Sequence, residues 1–259
     1  MPEQTEPPVS QLERVELVLK ALELEGYLTL TQISAATGIP RSSAQRLLER
    51  MVKLRWLLRV SDCYELGTRM FELGSEAVRN HWFHRIAYPH LAELQERTQL
   101  VVHLAYLDGG DVVYWEKLPG TIGIRVPTRI GGHQPAHRTA LGKALLAAEP
   151  DKCLEHPAFD SMKRSTPTTI THRDELAREV AKVRADGIAF DRGEALVDIG
   201  CIAATVRAGH ASTSDGYSTT AAISICGPLR QIEPKLISLL RATANQITRA
   251  AAVNPMTDS

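Results

Sequence analysis

Polar and apolar residues alternate with a clear helical period between residues 40 and 54. At about 100° of rotation per residue, the two sides of this helix carry different chemistry. The apolar side consists of Ala44, Leu47, Leu48, Met51, Val52 and Leu54. The polar side consists of Ser42, Gln45, Arg46, Glu49, Arg50 and Lys53. Pro40 suits the first turn, where a missing N–H costs nothing. The pattern therefore predicts a helix with one buried side and one exposed, cationic side.

The flanking segments predict the partners of this helix. Thr29 or Thr31 can cap a short preceding helix that turns Ile33 and Ala36 inward, and Gly38 supplies a tight turn. Residues 56–60 and 63–67 are typical of two strands joined at Ser61–Asp62. The alternative is an amphipathic helix pair in an ordinary bundle. Turn spacing, one-sided charge and the following hairpin coincide, and together they favour a winged helix-turn-helix.

Charge is concentrated in this segment. The whole chain has 30 basic and 30 acidic residues, so its net charge is zero. Residues 38–60 nevertheless hold six basic side chains against the single acid Glu49. Such a local excess suits DNA phosphates, whereas the balanced total argues against a protein that coats nucleic acid indiscriminately. The predicted base-reading residues are Ser42, Ser43, Gln45 and Arg46, and the predicted phosphate contacts are Arg41 and Arg59.

The flanks of the winged segment set the domain boundaries. Residues 1–10 are expected to be disordered, and a helix over 12–24 is expected to turn its apolar positions inward: Leu12, Val15, Val18, Leu19 and Leu22. Residues 68–100 have a helical pattern, which Pro89 is expected to break into two helices. The predicted division is a disordered tail (1–10), a winged helix-turn-helix domain (11–67), a linker helix (68–82) and a second domain (83–259).

The second domain mixes strand and helix patterns. Residues 101–107 and 112–118 predict a hairpin, and residues 122–126 a third strand. Helices are predicted at 139–148, 173–186 and 234–252, the second with Leu176, Val180 and Val183 inward. Extended segments are predicted near 188–191, 200–206 and 219–226. The order predicts an α+β fold around one mostly antiparallel sheet.

Composition narrows the functional classes. Cys63, Cys153, Cys201 and Cys226 lack the close spacing of zinc ligands and are expected to be reduced thiols in the cytoplasm. No segment has the pattern of a secretion signal or a membrane span, so no membrane partner is expected.

Several residues that suggest metal or phosphate chemistry have simpler interpretations. His81, His84 and His90 lack an acid or thiol at ligand spacing, so no metal site is predicted. Gly142–Lys143 lacks a glycine-rich phosphate loop and predicts a helix-packing glycine beside an exposed lysine. No cofactor is predicted.

The whole chain resembles the isocitrate lyase regulator (IclR) family of bacterial transcription factors. The segments that carry this resemblance are 28–48, 64–67, 135–146, 186–191, 200–204 and 222–228. The resemblance implies a winged helix-turn-helix, a linker helix and a GAF-like effector-binding domain. It also implies a homodimer or dimer of dimers that binds operator double-stranded DNA, as repressor or activator, and responds to a small organic effector.

The resemblance further implies an effector site at Ala140, Leu141, Asp191, Cys201, Ser224 and Cys226. Ala140 and Leu141 open a predicted helix, whose first N–H groups suit a carboxylate. Ser224 and Cys226 alternate along a predicted strand and so face one side. Asp191 is expected to accept from an effector hydroxyl or to hold its loop. Some relatives carry serine at the position of Cys226; this departure favours a larger or more apolar effector, aromatic ones included, over a plain small acid.

Alternatives remain open at this point. Four residues could balance an anionic effector or could be surface or interface groups: Arg129, His133, His137 and Arg138. An enzyme with Cys201 as nucleophile would need a neighbouring base, and no histidine shares a motif with Cys201. A constitutive architectural DNA binder would not need the long second domain. The favoured function is an effector-responsive transcriptional regulator without catalysis.

Overall fold

The chain folds into two compact units, Met1–Asn80 and His81–Ser259. The computed structural model describes residues 10–120, 126–207 and 220–253. Most of the expected disordered tail, residues 1–9, lies outside the described residues, as do residues 122–125 of the expected third strand. Within the described residues, no helix is long and apolar enough to cross a membrane.

The first unit is a winged helix-turn-helix. Its helices are α1 (Gln11–Glu25), α2 (Leu30–Thr37), α3 (Arg41–Lys53) and α4 (Thr68–Asn80). Its strands are β1 (Tyr27–Thr29), β2 (Leu57–Val60) and β3 (Cys63–Leu66), which form an antiparallel sheet in the order β1-β3-β2. The sequence pattern predicted the β2–β3 wing but not β1, which pairs with the distant β3.

Local chemistry sets the ends of these helices. Thr29 caps α2 in a reciprocal pair with Gln32, and Gly38 ends α2 in the left-handed conformation at φ 69°. Eleven buried residues form the core: ten from α1, α2, α3 and the strands, and Ile39 from the turn between α2 and α3. Three expected core positions are wrong: Leu12 and Leu54 are 76% and 57% exposed, and Ala36 on α2 is exposed as well. Leu12 lies in the first turn of α1, and Leu54 follows the last turn of α3.

The second unit is built around a six-stranded sheet in the order β6-β5-β4-β9-β8-β7. The strands are β4 (Val101–Asp108), β5 (Asp111–Leu118), β6 (His133–Pro135), β7 (Ala189–Arg192), β8 (Ile199–Arg207) and β9 (Thr220–Pro228), and all neighbours are antiparallel. The helices are α5 (Trp82–Thr98), α6 (Ala140–Ala148), α7 (Arg173–Asp186) and α8 (Pro234–Ala252). The predicted α+β class is confirmed.

The expected break at Pro89 is wrong. Pro89 lies inside α5, and the helices separate instead between Asn80 and Trp82. Proline removes one backbone hydrogen bond from a helix interior. Helix α5 tolerates that loss because Phe83, Ala87, Leu91 and Leu94 are all buried in the core of the second unit. Tertiary packing therefore overrides the local signal.

The two faces of the sheet carry different cores. Helices α5 and α8 cover one face, against apolar residues such as Leu104, Ile202 and Ile223. Helices α6 and α7 cover the other, against smaller residues such as Ala203 and Ala222. A Cβ on Gly142 would lie 2.1 Å from the carbonyl oxygen of Ala136, which confirms the helix-packing glycine. The second face has room for a cavity beside the start of α6.

Candidate DNA-binding surface and ligand cavity

Helix α3 presents polar side chains to solvent. Arg41, Ser42, Gln45 and Arg46 are exposed and Ser43 is half-buried, whereas Ala44 and Leu48 are fully buried. The Arg41 guanidinium donates to Thr31 Oγ1 at 2.7 Å, which ties the start of α3 to α2. Gln45 Nε2 donates to Glu49 Oε1 at 3.1 Å. This surface can offer amide, hydroxyl and guanidinium groups to a DNA groove.

The wing adds one cation. Arg59 on β2 donates from Nε to the Ser61 carbonyl at 3.1 Å, and its guanidinium carbon lies 5.8 Å from the centre of the Tyr64 ring. Its side chain is 56% exposed. The hairpin therefore orients a solvent-accessible guanidinium.

A groove between α1 and α3 was not anticipated from the sequence. It encloses about 320 Å³ and is lined by Gln11, Arg14, Ser43, Arg46, Leu47 and Arg50. Three of these residues are arginines, and Arg14 comes from a different helix than Arg46 and Arg50. The helical pattern of α3 alone identifies Arg46 and Arg50 as neighbours. Only the packing of α1 against α3 places Arg14 beside them.

A cavity of about 130 Å³ lies on the α6 face of the second sheet. The structure brings together around it all six residues that the resemblance implied: Ala140, Leu141, Asp191, Cys201, Ser224 and Cys226. The rest of the lining is His103, Tyr114, Val126, Pro127, Thr128, Gln134, Arg138, Thr139, Ala195, Leu196 and Ile199. A cavity near 150 Å³ holds a benzene-sized molecule, so this one suits a single-ring ligand.

His103 and Tyr114 form a neutral polar wall. His103 is 1% exposed, and its ring nitrogens lie 3.3 Å from Ser224 Oγ and 2.9 Å from Thr128 Oγ1. Burial and the charge of Lys117 lower the pKa of His103 to about 3, so the imidazole is neutral at physiological pH. Burial and the charge of Asp191 raise the pKa of the Tyr114 phenol, which therefore keeps its proton. Sequence patterns gave no reason to select either residue.

Asp191 holds the loop that follows β7. Its Oδ1 accepts from the backbone N–H of Glu194 at 2.6 Å and of Ala195 at 3.4 Å. Asp191 is 3% exposed, and burial raises its pKa to about 6 despite these hydrogen bonds. The structure shows the loop-holding contact, and the contact to an effector hydroxyl remains a prediction.

Lys143 is not the exposed lysine that the sequence suggested. Its side chain is 0% exposed, and Nζ lies 2.7 and 2.8 Å from the two carboxylate oxygens of Glu194. Glu194 belongs to the same loop that Asp191 holds, 51 residues later in the chain. Lys143, in the first turns of α6, therefore ties the start of this helix to the loop that lines the cavity, which sequence spacing could not reveal.

Arg138 lies at the cavity, and one of its nitrogens has no partner. Its two terminal nitrogens donate to Ser165 Oγ and, at 2.6 Å, to Gln134 Oε1. Among the described residues, only Arg138 Nε and His81 Nδ1 are buried side-chain polar atoms without a hydrogen-bond partner. An unsatisfied buried donor is costly unless a ligand or water accepts from it. The sequence left the role of four residues undecided: Arg129, His133, His137 and Arg138. Of these, Arg138 lines the cavity.

The expectation of four reduced cysteines is wrong for two of them. Cys201 and Cys226 form a disulfide in the cavity wall, whereas Cys63 and Cys153 are free. The pairing register explains the bond, because Cys201 of β8 lies directly opposite Cys226 of β9. Strand register across a 25-residue separation cannot be deduced from the spacing of cysteines. In this bonded form Cys201 has no thiol to act as the nucleophile of the alternative enzyme mechanism.

Two family models match this chain in succession. Residues 11–61 match the IclR helix-turn-helix domain, and residues 75–249 match the C-terminal domain of the bacterial transcriptional regulator IclR. The chain is 31% identical to the uncharacterized HTH-type transcriptional regulator RhmR of Escherichia coli, over 91% of this chain and 89% of that protein. It is 28% identical to the transcriptional repressor IclR of Escherichia coli, over 88% and 84% of the two chains.

Solved structures share the same architecture. A putative transcriptional regulator from Rhodococcus sp. RHA1 is 30% identical, with a TM-score of 0.77 and coverage of 94% of this chain and 98% of that chain. An IclR homolog from Microbacterium hydrocarbonoxydans, crystallised with 4-hydroxybenzoate, is 28% identical, with a TM-score of 0.77 and coverage of 93% and 99%.

A winged helix-turn-helix followed by an α+β domain with a ligand-sized cavity is the domain arrangement of a transcriptional regulator that responds to a small molecule. The two domain matches cover most of the chain in the same order as the two units. The chain therefore belongs to the IclR family of bacterial transcriptional regulators.

Proposed function

We propose that this regulator binds operator DNA through α3 and the β2–β3 wing, as repressor or activator, and that a small organic acid in the cavity controls its affinity. Ser42, Ser43, Gln45 and Arg46 read base edges in the major groove, while Arg41 and Arg59 contact phosphates. The exposure of the α3 side chains and the orientation of Arg59 by its own hairpin support these roles.

The main support for the effector proposal is Arg138, which lines the cavity and whose Nε is buried without a hydrogen-bond partner. A carboxylate completes this arrangement, because it accepts both from a guanidinium and from the first N–H groups of a helix. Thr139 caps α6 by accepting from the Gly142 N–H at 2.9 Å, and the amides of Ala140 and Leu141 precede it. The effector carboxylate therefore lies between Arg138 and the start of α6.

The rest of the cavity lining favours a ring with a polar substituent. Leu196, Ile199 and the Cys201–Cys226 disulfide supply apolar surface, while Asp191 and Ser224 supply acceptors for a hydroxyl group. The homolog from Microbacterium hydrocarbonoxydans was crystallised with 4-hydroxybenzoate, a ligand of this class. A hydroxylated aromatic acid is accordingly the proposed effector class for this chain.

A homodimer, or a dimer of dimers, is the proposed form on DNA. None of the residues of α4 is buried within the described chain, and Phe71 and Leu73 are 76% and 44% exposed. Leu12 of α1 is 76% exposed. A second copy that covers α1 and α4 would bury these apolar groups and place two winged units on symmetric half-sites. The proposed compartment is the cytoplasm, and the proposed mechanism involves no catalysis, cofactor or metal.

The test begins by selecting DNA fragments from the genomic library of the source organism with the full-length protein. Gel shifts on a selected fragment should then change in the presence of 4-hydroxybenzoate or a related hydroxylated aromatic acid. Isothermal titration should give one binding event per chain for such an acid, lost in Arg138→Met and retained in Arg129→Met. Binding that is unaffected by Arg138→Met would contradict the proposed carboxylate position.

A further inference from the structure

The cavity contains a chemical group that effector binding does not require: two cysteines held face to face on neighbouring strands. Cys201 and Cys226 are direct cross-strand partners with Cα atoms 4.3 Å apart. This separation is that of a non-hydrogen-bonded antiparallel pair, in which side chains approach most closely. Both side chains point to the cavity side of the sheet.

The pairing of β8 with β9 on either side keeps Cys201 and Cys226 together whether or not the sulfurs are bonded. Gly200 pairs with Gly227 and Ile202 pairs with Ile225 on either side of the cysteines. Strands β8 and β9 are also inner strands of the sheet, with β7 and β4 as their outer neighbours. Formation or cleavage of the bond therefore requires side-chain rotation only, and the strands need not separate.

Access to the pair runs through the cavity. Cys226 is 5% exposed and Cys201 is half-buried, and both belong to the cavity wall. Val101 and Val126 pack against the pair, and Val126 also belongs to the cavity wall. A small oxidant or thiol that enters the cavity can reach the sulfurs, and Cys201 presents the more accessible one.

We propose that Cys201 and Cys226 form a reversible redox site inside the cavity, with hydroperoxides as its oxidants and low-molecular-weight thiols as its reductants. The Cys201 thiolate attacks the peroxide, so that an S–O bond forms, the O–O bond breaks and an alcohol or water leaves with a proton. The Cys226 thiol then attacks the sulfenic acid, which forms the S–S bond and releases water. Two electrons pass from the sulfurs to the peroxide, and two thiol molecules reverse the step by becoming a disulfide themselves.

The redox state of the two cysteines changes the hydrogen-bond donors and the shape of the cavity wall. Its effect on ligand binding rests on the proposed effector function. The dithiol form supplies S–H donors, which the disulfide lacks. Two unbonded sulfurs also lie farther apart than two bonded ones, so the wall beside Ser224 has a different shape in each state. A hydroxylated aromatic acid should bind the dithiol form at least about five-fold more tightly, at the lower end of measured couplings between sites.

Thiol counting on the full-length protein tests the redox site. After treatment with dithiothreitol and desalting, the native wild-type chain should show four thiols when denatured, and after hydrogen peroxide it should show two. Peptide mapping should assign the lost thiols to Cys201 and Cys226, and dithiothreitol should restore them. The matched variant Cys63→Ser/Cys153→Ser should show two thiols after dithiothreitol and none after peroxide, the same loss of two. Cys226→Ser should trap dimedone on Cys201 after peroxide. A pair that dithiothreitol cannot open in the native protein, or that peroxide does not close, would overturn the proposal.

Calorimetric titration of 4-hydroxybenzoate into both redox forms tests the consequence separately. Tighter binding to the dithiol form supports the coupling, and equal affinities overturn it. If the acid binds neither form, the proposed effector class is wrong, while the thiol counts still decide whether the redox site exists.

Discussion

The two units of this protein use charge in opposite ways. In the first unit the only buried polar residue among those described is Thr37, and the cations of α3 and the wing lie in solvent. In the second unit His103 and Asp191 are buried in the cavity wall, and the buried Lys143–Glu194 pair adjoins Asp191. Exposed charged groups keep their hydration and remain available to phosphates, whereas buried charged groups lose it and must be paired or neutralised. The first arrangement suits a long polyanion, and the second suits one small ligand of fixed shape.

The largest expected effect is the loss of unfolding free energy when the buried Lys143–Glu194 ion pair is broken. Lys143→Met leaves the Glu194 carboxylate without its partner, so the second unit should lose about 3–5 kcal/mol of unfolding free energy. Lys143→Met/Glu194→Leu should recover part of this loss, because no unpaired charge remains. Urea unfolding followed by circular dichroism measures both. The matched control is Lys20→Met, which removes an exposed lysine paired with Glu16 and should have no measurable effect; a similar loss in that variant would remove the contrast between the units.

The pH dependence of stability should reveal Asp191. Its pKa is about 6 in the folded protein against an ordinary value of 3.8, so the folded state retains a proton that the unfolded state releases. This contribution to the unfolding free energy is present below pH 4 and is lost as the pH rises to about 6. The loss should be on the order of 2–3 kcal/mol and absent in Asp191→Asn. Parallel pH profiles for the wild type and this variant would show that Asp191 titrates normally.

A substitution on the DNA-facing surface should change the affinity for DNA but not the free energy of unfolding. Arg46→Ala should weaken binding to a selected operator by about 1–3 kcal/mol if Arg46 reads a guanine with two hydrogen bonds. Unfolding free energy should stay unchanged, because Arg46 is exposed. Gel shifts at fixed salt measure the effect, with Lys20→Ala as the control on α1. Unchanged affinity for the Arg46 variant would exclude it from the base-reading set.

Sequence reasoning succeeded where the determining contacts are local. Helices α7 and α8 have the predicted bounds, and Gly38 makes the predicted turn, because caps, period and φ preference lie within a few residues. It missed β1 and β6, which have three residues each and pair with distant strands. Short strands carry no periodic signal of their own.

The same limit applies to the cavity. The family resemblance supplied six residues that the fold does bring together. The partners that set their chemistry were invisible, since Lys143 meets Glu194 across 51 residues and His103 meets Ser224 across 121. The burial of Lys143 and the bond between Cys201 and Cys226 follow from strand register and loop placement, which spacing along the chain does not encode.

Occupation of the cavity is expected to control DNA binding. A ligand can alter DNA affinity only by as much as DNA alters ligand affinity, so both titrations must change together. Cys226→Trp fills the cavity, whereas Cys226→Ser removes the disulfide without filling it. We expect the tryptophan variant to bind a selected operator as the wild type does, yet to lose both the binding of 4-hydroxybenzoate and its effect in gel shifts, while the serine variant keeps both. Normal ligand affinity and a normal response in Cys226→Trp would contradict the account and place the effector elsewhere.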